Sequence, residues 1–156
     1  MAMHIVLVEP EIPPNTGNVA RTCAVTGARL HLVEPLGFRV DEKSVRRAGL
    51  DYWKHVDVEI HRSLDDFMKK YGTRTLYFAS TKGKKTYAEV QFCDQDMILF
   101  GRETKGLPPE LISANRENTI RIPMSHQAEL RSLNLSNSVA IILFEALRQQ
   151  AYPHLK

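Results

Sequence analysis

Apolar residues in this chain come in short unbroken runs rather than in strict alternation with polar ones. Ile5-Val6-Leu7-Val8 is closed by Glu9-Pro10, and Leu30-His31-Leu32-Val33 is closed by Glu34-Pro35. A run apolar on both faces predicts a strand covered on both sides, the situation of a parallel sheet between helical layers. Val56 to Ile60, Thr75 to Ala79, Met97 to Phe100 and Thr119 to Ile122 are further strands, the last stopped by Pro123. Helices are predicted between them. Asn15 to Thr26 suits a helix capped by Asn15 or Thr16 and ended by Gly27, with Pro13-Pro14 forcing an extended approach. Asp41 to Ala48 reads as a short basic helix, and Ser63 to Tyr71 as an amphipathic one begun by a Ser-x-x-Asp cap and ended before Gly72.

A last helix runs from near Asn134 or Ser136 to about Gln150. Its apolar positions Val139 to Phe144, with Ala146 and Leu147, wrap most of the circumference, so it is expected to be buried on more than one side. A second subunit would supply such a cover. Strands alternating with helices make the fold class α/β, an open and mostly parallel sheet flanked by helices. Ligands of such sheets bind outside the carboxyl ends of the strands. Those ends deliver four polar loops, Glu9 to Gly17, Ser80 to Lys85, Gly101 to Pro108 and Pro123 to Asn134, and the functional site is expected among them.

Composition narrows the picture. The 156 residues are 43% apolar and 25% charged, which excludes intrinsic disorder and collagen and fits one globular domain spanning residues 1–156. A chain of this length buries roughly 70% of its unfolded surface and needs no disulfide or metal to hold a core. Lysine and arginine exceed aspartate and glutamate by three, a mild excess that permits an anionic partner. Cys23 and Cys93 lack the paired spacing of a redox or zinc motif, and the N-terminus carries no leader pattern, so a cytosolic protein is expected. The apolar stretch Val139 to Leu147 is too short for the roughly 20 residues of a membrane span.

The polar loops differ in what they offer. Gly101-Arg102-Glu103-Thr104-Lys105-Gly106 has the glycine spacing of a phosphate loop, but Leu107-Pro108 stand where that loop needs Lys and Ser or Thr. Its bland alternative is a tight strand-to-helix turn. Asn15 to Thr22 places polar groups at a helix start, an anion-receptive position, with Asn18 and Arg21 on one face. Ordinary capping and surface solvation account for these residues equally well. Arg131 to Asn137 sets two asparagines and two serines beside a very apolar helix, more than capping uses. The six histidines form no His-x-x-x-His pair, so no metal is expected, and His31 reads as a satisfied strand residue. Lys43, Arg46, Arg47, Lys82, Lys84 and Lys85 offer phosphate contacts, and Tyr52, Trp53 and Tyr87 offer planar groups for stacking.

In order, NTGNVART (Asn15 to Thr22), ILFGRETKGLP (Ile98 to Pro108) and IRIPM with RSLNLSNSVAIILFEALRQ (Ile120 to Gln149) resemble the three motifs of the SPOUT superfamily of RNA methyltransferases. The match spans nearly the whole chain. IVLVEPEIPPNTGN and RRAGLDYW are most similar to its tRNA (cytidine/uridine-2′-O)-methyltransferases, which act on the wobble nucleotide of certain leucine tRNAs. This resemblance implies S-adenosylmethionine as methyl donor, a C-terminal trefoil knot and a homodimer with its sites at the interface. It also implies cofactor contacts from Ala79, Gly101, Ile122, Ser132 and Leu133, and a catalytic role for Arg21. Asn18, Arg46, Arg47, Glu103 and Asn134 are the expected substrate-binding residues. Lacking the added RNA-binding domain of larger relatives, the dimer surface itself is expected to hold tRNA. A guanidinium keeps its proton up to about pH 12, so Arg21 either sheds one with help from a substrate phosphate or stabilises developing alkoxide charge. Two other classes stand beside this reading: a catalytically silent RNA-binding dimer, and a nucleotide enzyme using the Gly101 to Gly106 loop.

Overall fold

A computed structural model describes residues 2–41, 43, 47 and 50–156. Among these residues, seven parallel strands form one sheet in the order β3-β2-β1-β6-β4-β7-β5, where β1 is His4–Val8, β2 Arg29–Val33, β3 Val58–His61, β4 Leu76–Ala79, β5 Lys85–Thr86, β6 Met97–Phe100 and β7 Thr119–Arg121. The α-helices whose bounds fall within the described residues are α1 (Pro13–Thr26), α2 (Leu64–Tyr71), α3 (Pro109–Ala114) and α4 (Leu135–Gln149).

The unbroken apolar runs have a direct cause. Successive side chains of a strand point to opposite faces, and here each face feeds its own core. Ile5, Leu7, Ile98 and Phe100 pack with Val19, Ala20 and Cys23 of α1 and with Val139, Ile142 and Leu143 of α4. Val6, Val8, Met97 and Leu99 pack with Phe67 of α2 and with Leu111 and Ile112 of α3. Burial pushes the Cys23 thiol up to about 12, so it serves as a small apolar residue in the first core.

Several expectations need correction. Pro13 and Pro14 do not hold an extended approach; they are the first two residues of α1, where a missing N–H costs nothing. Ile12 is the cap residue and gives no side-chain bond, while Asn15 and Thr16 are buried inside the helix rather than capping it. Gly27 does end α1, with φ 78°, a left-handed conformation that a side chain would strain. Ser63 caps α2 by accepting from the Asp66 N–H at 3.0 Å, as its spacing predicts. β3 ends one residue later than expected, at His61. The two-residue β5 and the six-residue α3 escaped the sequence pattern because neither completes a period of alternation. Of the basic helix expected at 41–48, Lys43 and Arg47 are helical and exposed, and most of the segment, Arg46 included, lies outside the described residues.

α4 is not covered on all sides within one chain. It buries Leu135, Val139, Ile142, Leu143, Ala146 and Leu147, and leaves Ile141 37% and Phe144 42% exposed. Trp53 and Tyr87 pack against the first core, and Tyr52 lies under Arg21, so the three rings are not free stacking platforms. No helix among the described residues is long and apolar enough to cross a membrane.

Candidate active site at the strand ends

The carboxyl ends of β4, β6 and β7 open into a cleft of about 810 Å³. Its walls come from the loops at Ala79 to Lys82, Gly101 to Leu107, Arg121 to Met124 and Ser132 to Leu135. Its size suits a nucleoside-sized ligand. Every expected cofactor residue, Ala79, Gly101, Ile122, Ser132 and Leu133, lines it, as do Glu103 and Asn134.

Backbone contacts set the shape of these loops. After β4 the chain turns back onto β7: the Ser80 N–H donates to the Ile120 carbonyl at 2.9 Å, and the Lys84 N–H to Thr119 Oγ1 at 2.9 Å. Arg121 Nη1 donates to the carbonyls of Gly83 and Lys84, both at 3.0 Å. After β6 the chain folds on itself, with the Gly106 N–H donating to the Arg102 carbonyl at 2.8 Å. A Cβ at Gly101 would stand 2.0 Å from the Gly106 carbonyl carbon and 2.1 Å from the Leu107 nitrogen. That contact explains the glycine spacing without a phosphate. Pro108 is the N-cap residue of α3 and Pro109 its first residue, so the following helix start lacks two of the N–H donors a phosphate loop presents. The nucleotide-enzyme reading loses its main support here.

Glu103, Asn15 and Asn134 together join all three sequence motifs. Glu103 Oε1 accepts from the Glu11 N–H at 2.8 Å, and its Oε2 from the Ile12 N–H at 2.9 Å and from Asn15 Nδ2 at 3.1 Å. The carboxylate therefore caps α1, which has no cap of its own. This filled position is the one the sequence offered to an external anion. Asn134 Nδ2 donates to Asn15 Oδ1 at 3.0 Å, and Asn134 Oδ1 accepts from the Ser136 N–H at 2.9 Å, capping α4. Beside this network Arg102 pairs with Glu9 at 2.6 Å, and Thr104 Oγ1 donates to Glu11 Oε1 at 2.8 Å. Glu103 and Asn134 thus brace the cleft, and any substrate would share atoms already bonded. Asn15, Glu9 and Glu11 belong to the Glu9 to Gly17 loop expected at the site, but none of the three is among the expected site residues. The signal available in the sequence was a helix start, Ile12-Pro13-Pro14, with nothing of its own to cap it.

Asn18 and Arg21 lie elsewhere. Both are exposed on the outer face of α1, in line with exposed Pro14 and Val25, and neither lines the cleft of its own chain. The Arg21 guanidinium stacks on the Tyr52 ring at 4.7 Å. Arg47 is exposed and also outside the cleft, Lys84 is paired with Glu117, and Arg46 lies outside the described residues.

Comparison with known proteins bears on this geometry. The SpoU rRNA Methylase family matches residues 2–144. A tRNA (cytidine(34)-2′-O)-methyltransferase of Saccharophagus degradans is 49% identical over 150 residues, covering 96% of both chains. A solved structure concerned with 2-OH methylation of C/U34 on tRNA superposes with a TM-score of 0.90 at 42% identity, over 96% of this chain and 97% of that one. An AdoMet-bound rRNA methyltransferase from Sinorhizobium meliloti superposes with a TM-score of 0.83 at 25% identity, over 94% of this chain and 56% of that one. Family membership carries with it the knotted C-terminal segment that the motif order implies. With the family pattern running through α1, the three strand-end loops and α4, this chain belongs to the SpoU rRNA methylase family.

Proposed function

We propose that this chain, acting as one domain, transfers a methyl group from S-adenosylmethionine to the ribose 2′-hydroxyl of nucleotide 34, cytidine or uridine, in tRNA. Near-full-length similarity to enzymes of that activity supports it, and the observation that carries it is the cleft built from all three motifs. Leucine tRNAs are the substrates that the sequence resemblance implies. The lining of the cleft is compatible with the cofactor: the loop residues Ala79, Gly101, Ile122, Ser132 and Leu133 border a volume of nucleoside size. Bound there, S-adenosylmethionine supplies an activated methyl group. The protein's part is to hold that group and the ribose hydroxyl in line, and to stabilise charge as the hydroxyl loses its proton. Arg21 takes the second role, and Asn18, one turn earlier on the same face, is placed to contact the substrate beside it.

Arg21 lies outside the cleft of its own chain, which favours a site completed across a homodimer interface. The exposed Ile141 and Phe144 of α4 supply an apolar surface for such an interface. The chain is expected to sediment as a dimer at micromolar concentration. Ile141→Asp combined with Phe144→Asp should shift it to monomer and remove methylation together. A stable, active monomer of the unaltered protein would refute the dimer.

Two measurements test the activity. Calorimetry should detect S-adenosylmethionine but no magnesium-dependent ATP binding, while RNA binding without the cofactor would support the catalytically silent alternative. Transcripts with cytidine at position 34 should accept methyl groups, and transcripts with 2′-deoxycytidine there should not. For tRNA binding, Arg46→Ala with Arg47→Ala should weaken affinity, leave cofactor affinity unchanged and flatten the salt dependence by about one unit of slope per lost phosphate contact. Unaltered affinity at physiological salt would return both arginines to solvated surface charge.

A further inference from the structure

One cluster of metal-ligating side chains among the described residues lies away from the cleft, on the opposite half of the sheet. His31 of β2 is the cross-strand partner of Glu59 of β3, and His61 follows two residues later on the same strand. His31 Nδ1 stands 3.0 Å from His61 Nε2. A Glu59 oxygen lies 3.9 Å from the first nitrogen, and its other oxygen lies 3.8 Å from the second. Two donors that bind one zinc-class ion at about 2.0–2.2 Å are themselves roughly 3.3 Å apart in tetrahedral geometry. Small movements of the Glu59 side chain would therefore let all three donors close on one ion.

The surroundings already orient these ligands. His31 Nε2 lies 2.8 Å from His4 Nδ1; in the tautomer that carries its proton on Nε2, His31 donates there and leaves its Nδ1 lone pair facing Glu59 and His61. The Tyr71 hydroxyl donates to Glu59 Oε1 at 2.7 Å and holds the carboxylate in place. Phe67 and Tyr71 present their rings edge-on to His31 and His61 and wall the cluster off. Lys70, also bonded to Glu59, is 60% exposed and is free to withdraw into solvent.

We propose that His31, Glu59 and His61 form a binding site for one zinc-class divalent cation, which clips the edge strand β3 to β2 and takes no part in methyl transfer. The ion replaces the hydrogen bond between the two imidazoles. His61 then carries its proton on Nδ1, so both coordinating nitrogens present lone pairs and no proton is lost. Two imidazoles and a carboxylate leave a fourth position for water, and the mixed nitrogen and oxygen set favours zinc or cobalt over magnesium or calcium.

The test uses untagged, full-length protein treated with chelator and then titrated with Co2+. The visible absorption of low-coordinate Co2+ should grow to one equivalent and be displaced by Zn2+, and Zn2+ should raise the melting temperature. His61→Ala should abolish the bands. Should that variant fail to fold, Glu59→Gln, a change at a partly exposed side chain, carries the test and should weaken Co2+ binding at least about tenfold, comparable to losses at outer-shell partners of metal sites. Absence of bands in the unaltered protein would overturn the proposal. Unchanged affinity in Glu59→Gln would do the same, since it would place the ion on exposed histidines such as His126 or His154.

Discussion

Arg21→Ala is expected to lower the methylation rate at saturating substrates by at least about 100-fold while S-adenosylmethionine binding survives. The separation of the two effects follows from position. Arg21 stands on the outer face of α1 and does not line the cleft, so its loss leaves the loops at Ala79, Gly101, Ile122 and Ser132 untouched. Its guanidinium is already oriented by the Tyr52 ring, which limits the side-chain entropy lost when it meets a substrate. Arg21→Lys should restore only part of the rate. An ammonium lacks the planar fork that can hold a phosphate and a ribose oxygen together, and it stacks less well on an aromatic face. Single-turnover methylation with both variants, beside a direct cofactor-binding measurement, checks the prediction. Near-normal turnover in Arg21→Ala would move the catalytic assignment to the Ser132 to Asn134 loop.

Gly101→Ala should act in the opposite way, on the cofactor before the chemistry. The added carbon meets backbone atoms of Gly106 and Leu107 at 2.0 and 2.1 Å, and backbone cannot rotate aside as a side chain can. Relief requires the loop to open, which breaks the bond from the Gly106 N–H to the Arg102 carbonyl and shifts Arg102 and Glu103 with it. Overpacking of this kind costs about 1–3 kcal/mol, or roughly 3–10 °C in melting temperature for a chain of this size. Cofactor affinity should fall at least about tenfold, because the displaced loop, Gly101 to Leu107, lines the cleft. Calorimetry with a thermal melt measures both, and wild-type values for the two together would show that the loop is not the cofactor wall.

Local sequence was enough to read the layered α/β architecture. Residues such as Ile5 and Val6 are apolar in succession because two separate cores sit on the two sides of β1, and that demand is written residue by residue. Gly27 and Ser63 are equally legible, since a left-handed helix end and a side-chain cap act within a few residues of themselves. Motif order identified the loops of the cleft for the same reason: each follows directly from the strand that delivers it.

What the sequence left open was decided by contacts between distant segments. α1 takes its cap from Glu103, about ninety residues away, so Asn15 was free to turn inward and bond Glu103 and Asn134 instead of capping. The glycine pair at 101 and 106 reads as a phosphate loop by spacing, and only the folded backbone shows that the space is filled by the loop itself. His4, His31 and His61 stand on three different strands and share no local spacing; parallel pairing brings their rings within hydrogen-bonding distance. The apolar girth of α4 revealed how much surface must be covered, but not by what, because burial records the amount of apolar surface and not the identity of its partner. Periodicity is a property of neighbours along the chain, whereas capping at a distance, close backbone approach and side-chain clusters are properties of neighbours in space, and these only the tertiary structure determined.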